Sequence, residues 1–217
     1  MNNEVKINRG LLVTFEGPDG SGKTTQIELL KKFLNDKGIE VIKTREPGGT
    51  DISEKIREIV LDNKNSQMCG MCEALLYAAS RAQLVSEVIK PALNEGKIVI
   101  CDRFVESSII YQGIGRDLGI DRIKGINEAA LDGLKADLTI MLTIPYDEGL
   151  KRKANQRALD RLENSGDEFH EKVFHGYIKI ANMYDHIKVV DANRNIDEIH
   201  NDIINIMENV INNKCEE

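Results

Sequence analysis

Residues 17–24 constrain this 217-residue chain more than any other segment. They are Gly-Pro-Asp-Gly-Ser-Gly-Lys-Thr, which matches G-x-x-x-x-G-K-[ST], and they follow an apolar run that ends at Phe15. A helical pattern with Ile27, Leu30 and Phe33 comes directly after them. Glycines allow successive backbone N–H groups to converge on phosphate oxygens, and the start of a helix favours negative charge. A turn that binds nothing fits less well, because both flanks have the expected pattern. We therefore predict a nucleotide-phosphate loop made by Gly17, Pro18, Asp19, Gly20, Ser21, Gly22, Lys23, Thr24 and Thr25.

Short apolar runs alternate with longer helical patterns along the chain, which predicts an α/β fold with a mainly parallel sheet covered on both faces. The predicted strands are Leu11–Phe15, Glu40–Thr44, Ile98–Cys101, Leu138–Ile144 and Ile187–Val190. The predicted helices are Thr24–Lys37, Ser53–Leu61, Cys72–Asn94, Arg122–Leu134, Asp147–Leu159 and Asp167–Tyr184. The last helix carries Ile196, Ile199, Ile203, Ile206 and Val210 at helical spacing, as one buried stripe. Nothing marks a domain boundary, so we expect residues 1–217 to form a single domain.

Composition excludes several classes of protein. A net charge of −7 argues against a broad nucleic-acid surface but allows a local phosphate pocket. No run of about 18 apolar residues predicts a membrane span, and residues 1–10 lack the apolar stretch of a secretion signal. We therefore expect a cytoplasmic protein. Cys69 and Cys72 form a CxxC pair, but no second pair or paired histidines complete a zinc site, so its role stays open.

The residues after the strands favour phosphate transfer over hydrolysis. A GTPase should carry NKxD, and the nearest string, residues 63–66, lacks the carboxylate. The strand that ends at Cys101 is followed by Asp102 and Arg103, so an arginine stands where many ATPases place a second acidic residue. If the acceptor is itself a phosphate, its oxygen is already ionised and needs no general base. Catalysis then requires cations, for which Arg45 and Arg103 are candidates. The basic cluster in residues 151–161 is, by composition alone, more typical of a solvated helix face.

Several strings in this order resemble the bacterial thymidylate kinases, a family of P-loop nucleoside monophosphate kinases. The matching strings are residues 15–25, 45–50, 56–57, 74–81, 102–104, 107–108, 111–113 and 157–161. The resemblance implies a three-layer P-loop kinase fold with a five-stranded parallel sheet and a small helical lid at about residues 150–167. It also implies transfer of the γ-phosphoryl group of ATP to dTMP, giving dTDP and ADP in dTTP synthesis, with Mg²⁺ as the cofactor and a homodimer as the usual assembly.

The resemblance implies roles for the acceptor site as well. Tyr77 takes the place of a ring that stacks on thymine. Arg81 takes the place of the donor to thymine O4, and Gln112 with Ser108 takes the place of the residues that bind N3. Tyr111 would exclude a ribose 2′-hydroxyl, and Asp19 would accept from the sugar 3′-hydroxyl. The remaining acceptor-site residues would be Arg45, Glu46, Arg57, Arg103 and Arg116.

The same resemblance implies how the donor is held. Lys23 would bridge the β- and γ-phosphates, Thr24 would bind Mg²⁺, and Glu46 and Asp102 would support the ion through water. Relatives take a catalytic arginine from the phosphate loop or from the lid. Because the loop has Gly20 after Asp19, the lid type is implied, with Arg157 as first choice and Arg161 as second. The expected catalytic residues are therefore Lys23, Arg103, Arg157 and Asp19.

This chain departs from the usual pattern of the family in places, and two other functions stay open. Phe104 stands where many relatives have Tyr, and residues 63–71 do not look like the usual connector. The second hypothesis is a kinase for another nucleoside monophosphate or a deoxynucleoside, in which Asp19 or Glu46 would act as base. The third is a nucleotide-binding regulator without turnover that uses the CxxC pair as a sensor. Ile109 and Ile110, with the long helices, are candidates for the homodimer interface.

Overall fold

The chain forms one parallel sheet of five strands, seen in a computed structural model that describes residues 9–145, 148, 149, 152 and 160–215. The strands are β1 (Leu12–Glu16), β2 (Val41–Arg45), β3 (Ile98–Asp102), β4 (Leu138–Thr143) and β5 (Ile187–Asp191). Their order is β2-β3-β1-β4-β5, and every neighbouring pair is parallel. The predicted strands are confirmed, each within one residue at either end. The phosphate loop therefore leaves the middle of the sheet.

Burial along the strands follows their place in the sheet. All five residues of β1 are buried, whereas the edge strands β2 and β5 each have exposed positions. Central strands of a parallel sheet are covered on both faces, which explains why their sequences are continuous apolar runs. The prediction that the sheet is covered on both faces therefore holds best at its centre.

Helices cover the two faces. Their bounds are α1 (Lys23–Asp36), α2 (Asp51–Leu61), α3 (Gly70–Leu84), α4 (Lys90–Asn94), α5 (Val105–Ser108), α6 (Ile120–Leu131), α7 (Asp167–Ala181) and α8 (Ile196–Cys215). A π-helical turn, Val85–Ile89, joins α3 to α4, and a longer π-helical segment, Ile109–Gly115, continues α5. A short 3₁₀ turn, Asn63–Asn65, follows α2.

Alternate residues of β1 face different layers, so the predicted three-layer architecture is confirmed. Val13 and Phe15 pack in a core cluster with α1 and α8, whereas Leu12 packs on the opposite face with residues from α3 to β3. A third cluster joins the segment Ile109–Gly115 to α7. This last cluster supports the end of the sheet at which the predicted site residues lie.

Two predictions about apolar positions are wrong. Ile196 does not belong to the buried stripe of the last helix: it is 54% exposed, because it is the first residue of α8 and lines an open cavity. Ile109 and Ile110 cannot form a dimer interface in this structure, because both are buried in the core of the chain itself. Gly176 of α7 lies directly against Ile110, which lets the two helices approach closely.

Among the helices of the described residues, none combines the length and apolar character that a membrane span requires. Most of the predicted helix Asp147–Leu159 lies outside the described residues, as does half of the predicted lid at residues 150–167.

Candidate active site

The predicted phosphate loop connects β1 to α1 in a compact turn. Gly17, Gly20 and Gly22 have φ angles of 141°, 80° and 87°, which L-residues with a side chain rarely adopt. A Cβ on Gly20 would also lie 2.7 Å from the carbonyl oxygen of Gly149. The glycines are therefore required by the backbone, as the motif predicts.

Lys23 begins α1 and turns back over the loop. Its Nζ donates to the carbonyl oxygens of Gly17 at 2.8 Å and Pro18 at 3.1 Å. Burial, together with the nearby Arg103 charge, lowers the pKa of Lys23 to about 8. This ammonium group is therefore held inside the loop at a place where negative charge on a ligand would stabilise it.

A cavity of about 600 Å³ opens beside the loop. Its lining includes Thr24, Asp102, Arg152 and Arg194, in addition to the loop residues. Within the described part of the chain, the buried oxygens Ser21 Oγ and Asp102 Oδ1 have no hydrogen-bond partner. Buried polar atoms are rarely left unpaired in proteins, so these two indicate a place for a ligand. A hydroxyl at Thr24 and an unpaired carboxylate oxygen are ligands that suit hydrated Mg²⁺.

A second, narrower cavity of about 130 Å³ adjoins the first. Its lining contains the predicted base-reading residues and others that the sequence did not single out. The complete lining is Asp19, Glu46, Pro47, Arg57, Leu61, Tyr77, Arg81, Arg103, Phe104, Ser107, Ser108, Tyr111, Gln112, Asp160, Leu162 and Glu163. Five of these, Asp19, Glu46, Arg57, Arg103 and Glu163, also line the larger cavity. The two cavities therefore meet at a cluster of charged side chains.

Arg103 occupies the junction in an unusual backbone conformation. Its φ is 68°, and positive φ at a residue other than glycine is a form of strain that is common at functional sites. Its guanidinium donates to Asp19 Oδ1 at 2.5 Å and to Tyr177 Oη at 2.7 Å, and it lies 5.3 Å from the centre of the Tyr111 ring. Tyr177 is a contact that the sequence did not reveal.

Glu16 fixes the turn that carries Arg103. Its carboxylate accepts from the backbone N–H groups of Phe104 at 2.8 Å and Ser107 at 3.1 Å, and from Ser107 Oγ at 2.6 Å. Burial raises the pKa of Glu16 to about 7; the Glu106 carboxyl adds to this rise and Arg103 opposes it. The sequence feature that could have identified Glu16 as part of the site is its position at the end of β1, just before the loop.

Arg81 differs from its predicted role. It is 1% exposed, and its hydrogen bonds within the protein use all five guanidinium N–H groups. The acceptors are Glu46, Ser108, Asn127 and the carbonyl oxygen of Phe104. All N–H donors of Arg81 are therefore hydrogen-bonded to Glu46 and its other protein acceptors, and none is available for a base oxygen.

Glu46 is hydrogen-bonded to Arg81 and does not take the predicted role of supporting Mg²⁺ through water. Both of its oxygens accept from Arg81, with Nε at 3.1 and 2.8 Å. Burial raises the pKa of Glu46 to about 7, although Arg81 acts to lower it. Glu46 still lines both cavities, so it lies close to the predicted site while its carboxylate supports Arg81.

The predicted phosphate-binding arginines fall into two groups. Arg45 and Arg57 line the larger cavity; Arg45 is paired with Glu54 at 2.8 Å, and Arg57 donates to the carbonyl oxygen of Pro47 at 2.9 Å. Arg116 is not among the residues that line either cavity. It lies behind the site, where it contacts Glu73 and the ring of Phe169.

Four predicted residues line the narrow cavity together, as the sequence predicted: Tyr77 on α3, Ser108 at the end of α5, and Tyr111 and Gln112 on the π-helical segment that follows. The segment Ile109–Gly115 is π-helical, a conformation often found at functional sites. Gln112 donates to Glu73, a buried carboxylate that sequence reasoning missed. Glu73 immediately precedes one of the matching strings, but its sequence context alone does not reveal its burial.

Of the two candidate lid arginines, only Arg161 lies within the described residues. Arg157, the first choice for catalysis, lies outside the described residues. Arg161, the second choice, is 6% exposed and donates to Glu73 at 2.7 Å and to the carbonyl oxygen of Val60 at 2.7 Å. Its guanidinium is therefore bound to the body of the protein.

The fold and the site together define an α/β protein with the P-loop kinase fold. The family model described as thymidylate kinase matches residues 15–203, so the chain belongs to the thymidylate kinase family. A thymidylate kinase of Finegoldia magna is 48% identical over 197 residues, covering 91% of this chain and 97% of the relative. One from a Geobacillus species is 51% identical over 194 residues, covering 88% and 92%. One from Clostridium novyi is 47% identical over 200 residues, covering 91% and 98%.

Proposed function

We propose that this chain transfers the γ-phosphoryl group of ATP to dTMP, giving dTDP and ADP. The observation that carries the proposal is the junction of two cavities at Asp19 and Arg103, one beside the phosphate loop and one lined by tyrosines and a glutamine. A donor triphosphate on the loop and an acceptor nucleotide in the narrow cavity would then face each other across this junction. Membership of the thymidylate kinase family supports the choice of substrates.

The donor would lie on the loop between β1 and α1. The backbone N–H groups of the loop and the Lys23 ammonium would bind the β- and γ-phosphates, and Lys23 would exchange its two carbonyl contacts for phosphate oxygens. Thr24 would hold Mg²⁺ directly and Asp102 through water, and the ion would supply charge neutralisation between the phosphates. Arg152 and Arg194 line the same cavity and are further candidates for contacts with the donor.

The acceptor would lie with its base between Tyr77 and the segment that carries Ser108, Tyr111 and Gln112. Arg103, with Arg45 and Arg57 from the larger cavity, would bind the acceptor phosphate and hold one of its oxygens in line with the γ-phosphorus. Asp19 would accept from the sugar hydroxyl while it stays paired with Arg103. Arg157 would stabilise negative charge on the transferring group when the lid closes.

A phosphate acceptor is favoured over a nucleoside hydroxyl by the state of the carboxylates. A hydroxyl acceptor needs a general base, for which Asp19 and Glu46 were the candidates. Both are paired with arginines, Asp19 with Arg103 and Glu46 with Arg81. An ionised phosphate oxygen needs no base, and the cations at the junction suit it.

The test is turnover of dTMP, dUMP, CMP, GMP and thymidine in an assay that couples ADP formation to NADH oxidation. We expect dTMP to have the highest kcat/KM. The requirement for Mg²⁺ is measured by direct chromatography of ADP, because the coupling enzymes need Mg²⁺ themselves, and activity should disappear with EDTA. Preference for another acceptor would establish the second hypothesis. Binding of ATP without release of ADP for any acceptor would favour the regulator instead.

We also propose that the chain is a cytoplasmic homodimer. Ile52 and Ile59 of α2 and Leu75 of α3 are about half exposed, at 51%, 46% and 52%, on helices that pack against each other. Such apolar side chains are suited to burial against a second copy. The free thiols of Cys69, Cys72 and Cys101 agree with a reducing compartment. Light scattering of the wild type and of Leu75→Glu tests the assembly: the wild type should have the mass of two chains and the variant a lower one.

A further inference from the structure

Glu73, a buried carboxylate in the first turn of α3, has no role in the reaction described above. Its side chain is 1% exposed, and it accepts hydrogen bonds from three side chains. Oε1 accepts from Gln112 Nε2 at 2.9 Å and from Arg116 Nε at 3.3 Å. Oε2 accepts from Arg116 at 3.1 Å and from Arg161 at 2.7 Å. A buried charge with so many dedicated partners demands an explanation.

The two arginines keep this carboxylate ionised. Burial alone would raise the pKa of Glu73, but hydrogen bonds from Arg116 and Gln112 and the positive charge of Arg116 lower it on balance. Arg116 is itself fixed by Ser165 at 2.9 Å and by the face of the Phe169 ring at 4.2 Å. At neutral pH Glu73 therefore has no proton to donate.

An ionised carboxylate can only accept hydrogen bonds, and this dictates which end of the Gln112 amide faces it. The NH₂ group must point towards Glu73, as observed. The carbonyl oxygen, Oε1, is then the end left for the cavity that Gln112 lines. Rotation of the amide by half a turn would place two acceptors, Oε1 and the carboxylate, against each other.

We propose that Glu73 is a positioning residue that selects the base of the acceptor by fixing the Gln112 carbonyl oxygen towards it. A carbonyl oxygen in the cavity accepts from the N3–H of thymine or uracil. Cytosine presents an unprotonated N3 at the same place, so two acceptors would meet and the nucleotide would be rejected. The inference rests on the proposed function, because it assumes that an acceptor nucleotide binds in the narrow cavity.

The test is the ratio of kcat/KM for dTMP to kcat/KM for dCMP. In Glu73→Gln the neighbour can donate as well as accept, so the Gln112 amide is free to rotate and present its NH₂ group to cytosine. We expect the ratio to fall by about 10-fold or more, with the KM for ATP unchanged. A purely structural role for Glu73 would lower both rates together and leave the ratio as it is.

Two further variants isolate the pathway through Gln112. In a Gln112→Ala background, Glu73→Gln should have no further effect on the ratio, as required if Glu73 acts only through that amide. Glu54→Gln is the matched control, because it also removes a carboxylate that pairs with an arginine, and its ratio should equal that of the wild type. A Glu73→Gln effect that persists in the Gln112→Ala background would overturn the proposal.

If Glu73→Gln does not fold, a second substitution and a measurement on the wild type still test the proposal. Glu73→Asp keeps the charge beside Arg116 and Arg161 but shortens the reach to Gln112 by one methylene, so the ratio should fall here too. In the wild type, the Gln112 side-chain amide protons, assigned by their loss in Gln112→Ala, should be protected from exchange before nucleotide is added. Unprotected protons, or an unchanged ratio in whichever Glu73 variant folds, would contradict the role of Glu73.

The outcome also separates this inference from the proposed function. Failure of the wild type to phosphorylate dTMP counts against the function itself. Turnover of dTMP by the wild type with an unaltered ratio in the Glu73 variants counts against the positioning role alone.

Discussion

The two cavities of this protein satisfy their polar groups in opposite ways. In the wall of the narrow cavity, Arg81 and the NH₂ group of Gln112 are hydrogen-bonded to buried carboxylates, Glu46 and Glu73, before a nucleotide binds. Beside the phosphate loop, Ser21 Oγ and Asp102 Oδ1 have no partner within the described residues, and burial lowers the pKa of Lys23. The difference indicates that the base-reading side contributes to stability, whereas the phosphate side is maintained at a cost that a bound triphosphate offsets.

The largest effect that this comparison predicts is the separation of activity from stability at Lys23. Lys23→Met should lower kcat/KM by about 1000-fold, because it removes a cation aimed at the transferring phosphate. The folded state disfavours the charge of Lys23 below a pH of about 8, and this cost disappears as the pH rises towards 10.5. The free energy of unfolding of the variant at pH 7 should therefore equal or exceed that of the wild type.

Steady-state kinetics and urea denaturation measure the two quantities. Lys43→Met, which removes an exposed lysine paired with Glu28, should change neither. A Lys23→Met protein that is both inactive and much less stable would break the comparison.

Arg81 should show the opposite behaviour. Arg81→Met leaves the buried Glu46 carboxylate without its partner, so the free energy of unfolding should fall by about 3 kcal/mol. Arg45→Met removes an exposed pair with Glu54 and should cost less than about 1 kcal/mol. Urea denaturation measures the free energy of unfolding of both variants. An equal decrease in the two would show that burial of the Arg81–Glu46 pair does not determine its contribution to stability.

Arg157 and Arg161 extend the contrast to the predicted lid. Arg157→Ala should lower kcat by about 100-fold with little change in the Kd for ATP, because its charge acts on the transferring group. Arg161→Met should chiefly lower the free energy of unfolding, because Arg161 is bound to Glu73 and Val60. Kinetics and equilibrium binding of ATP distinguish them, and an unchanged kcat would remove Arg157 from the mechanism.

The smallest predicted effect is on the pH dependence of ATP binding. Because the pKa of Lys23 is about 8 without ligand, its charge is lost as the pH rises through that value, and the affinity for ATP should fall. Between pH 7 and pH 9 the Kd should rise by about 10-fold, as expected from a group that is about one-tenth charged one unit above its pKa. Calorimetric titrations across this range test it, and Lys23→Met should remove the dependence.

Much of the fold was predictable because its signals are local. The five strands are short apolar runs, and the phosphate loop is recognisable from residue type and spacing alone. The helical segment Val105–Gly115 was not predicted, because Ser107, Ser108 and the β-branched Ile109 and Ile110 have modest helix propensity. Packing against α7 stabilises that segment, and a propensity scale does not contain tertiary contacts.

Most members of the site were predictable, Arg116 excepted, but their pairing was not. Tyr77, Tyr111 and Gln112 line one cavity as expected. Which donor meets which acceptor depends on side chains that are distant in sequence, such as Glu46 with Arg81 and Glu73 with Arg161. Glu73 and Tyr177 were missed for the same reason, since nothing near them in the chain identifies their partners.

The close approach between Gly20 and Gly149 limits how this sequence can diverge. An arginine introduced at position 20 has no volume to occupy while the 149 backbone stays where it is, and the left-handed conformation there resists any side chain. Relocating the catalytic cation from the lid to the loop would therefore need a coordinated displacement of two segments rather than a point mutation. A single-site library at position 20 should return only glycine among its active members.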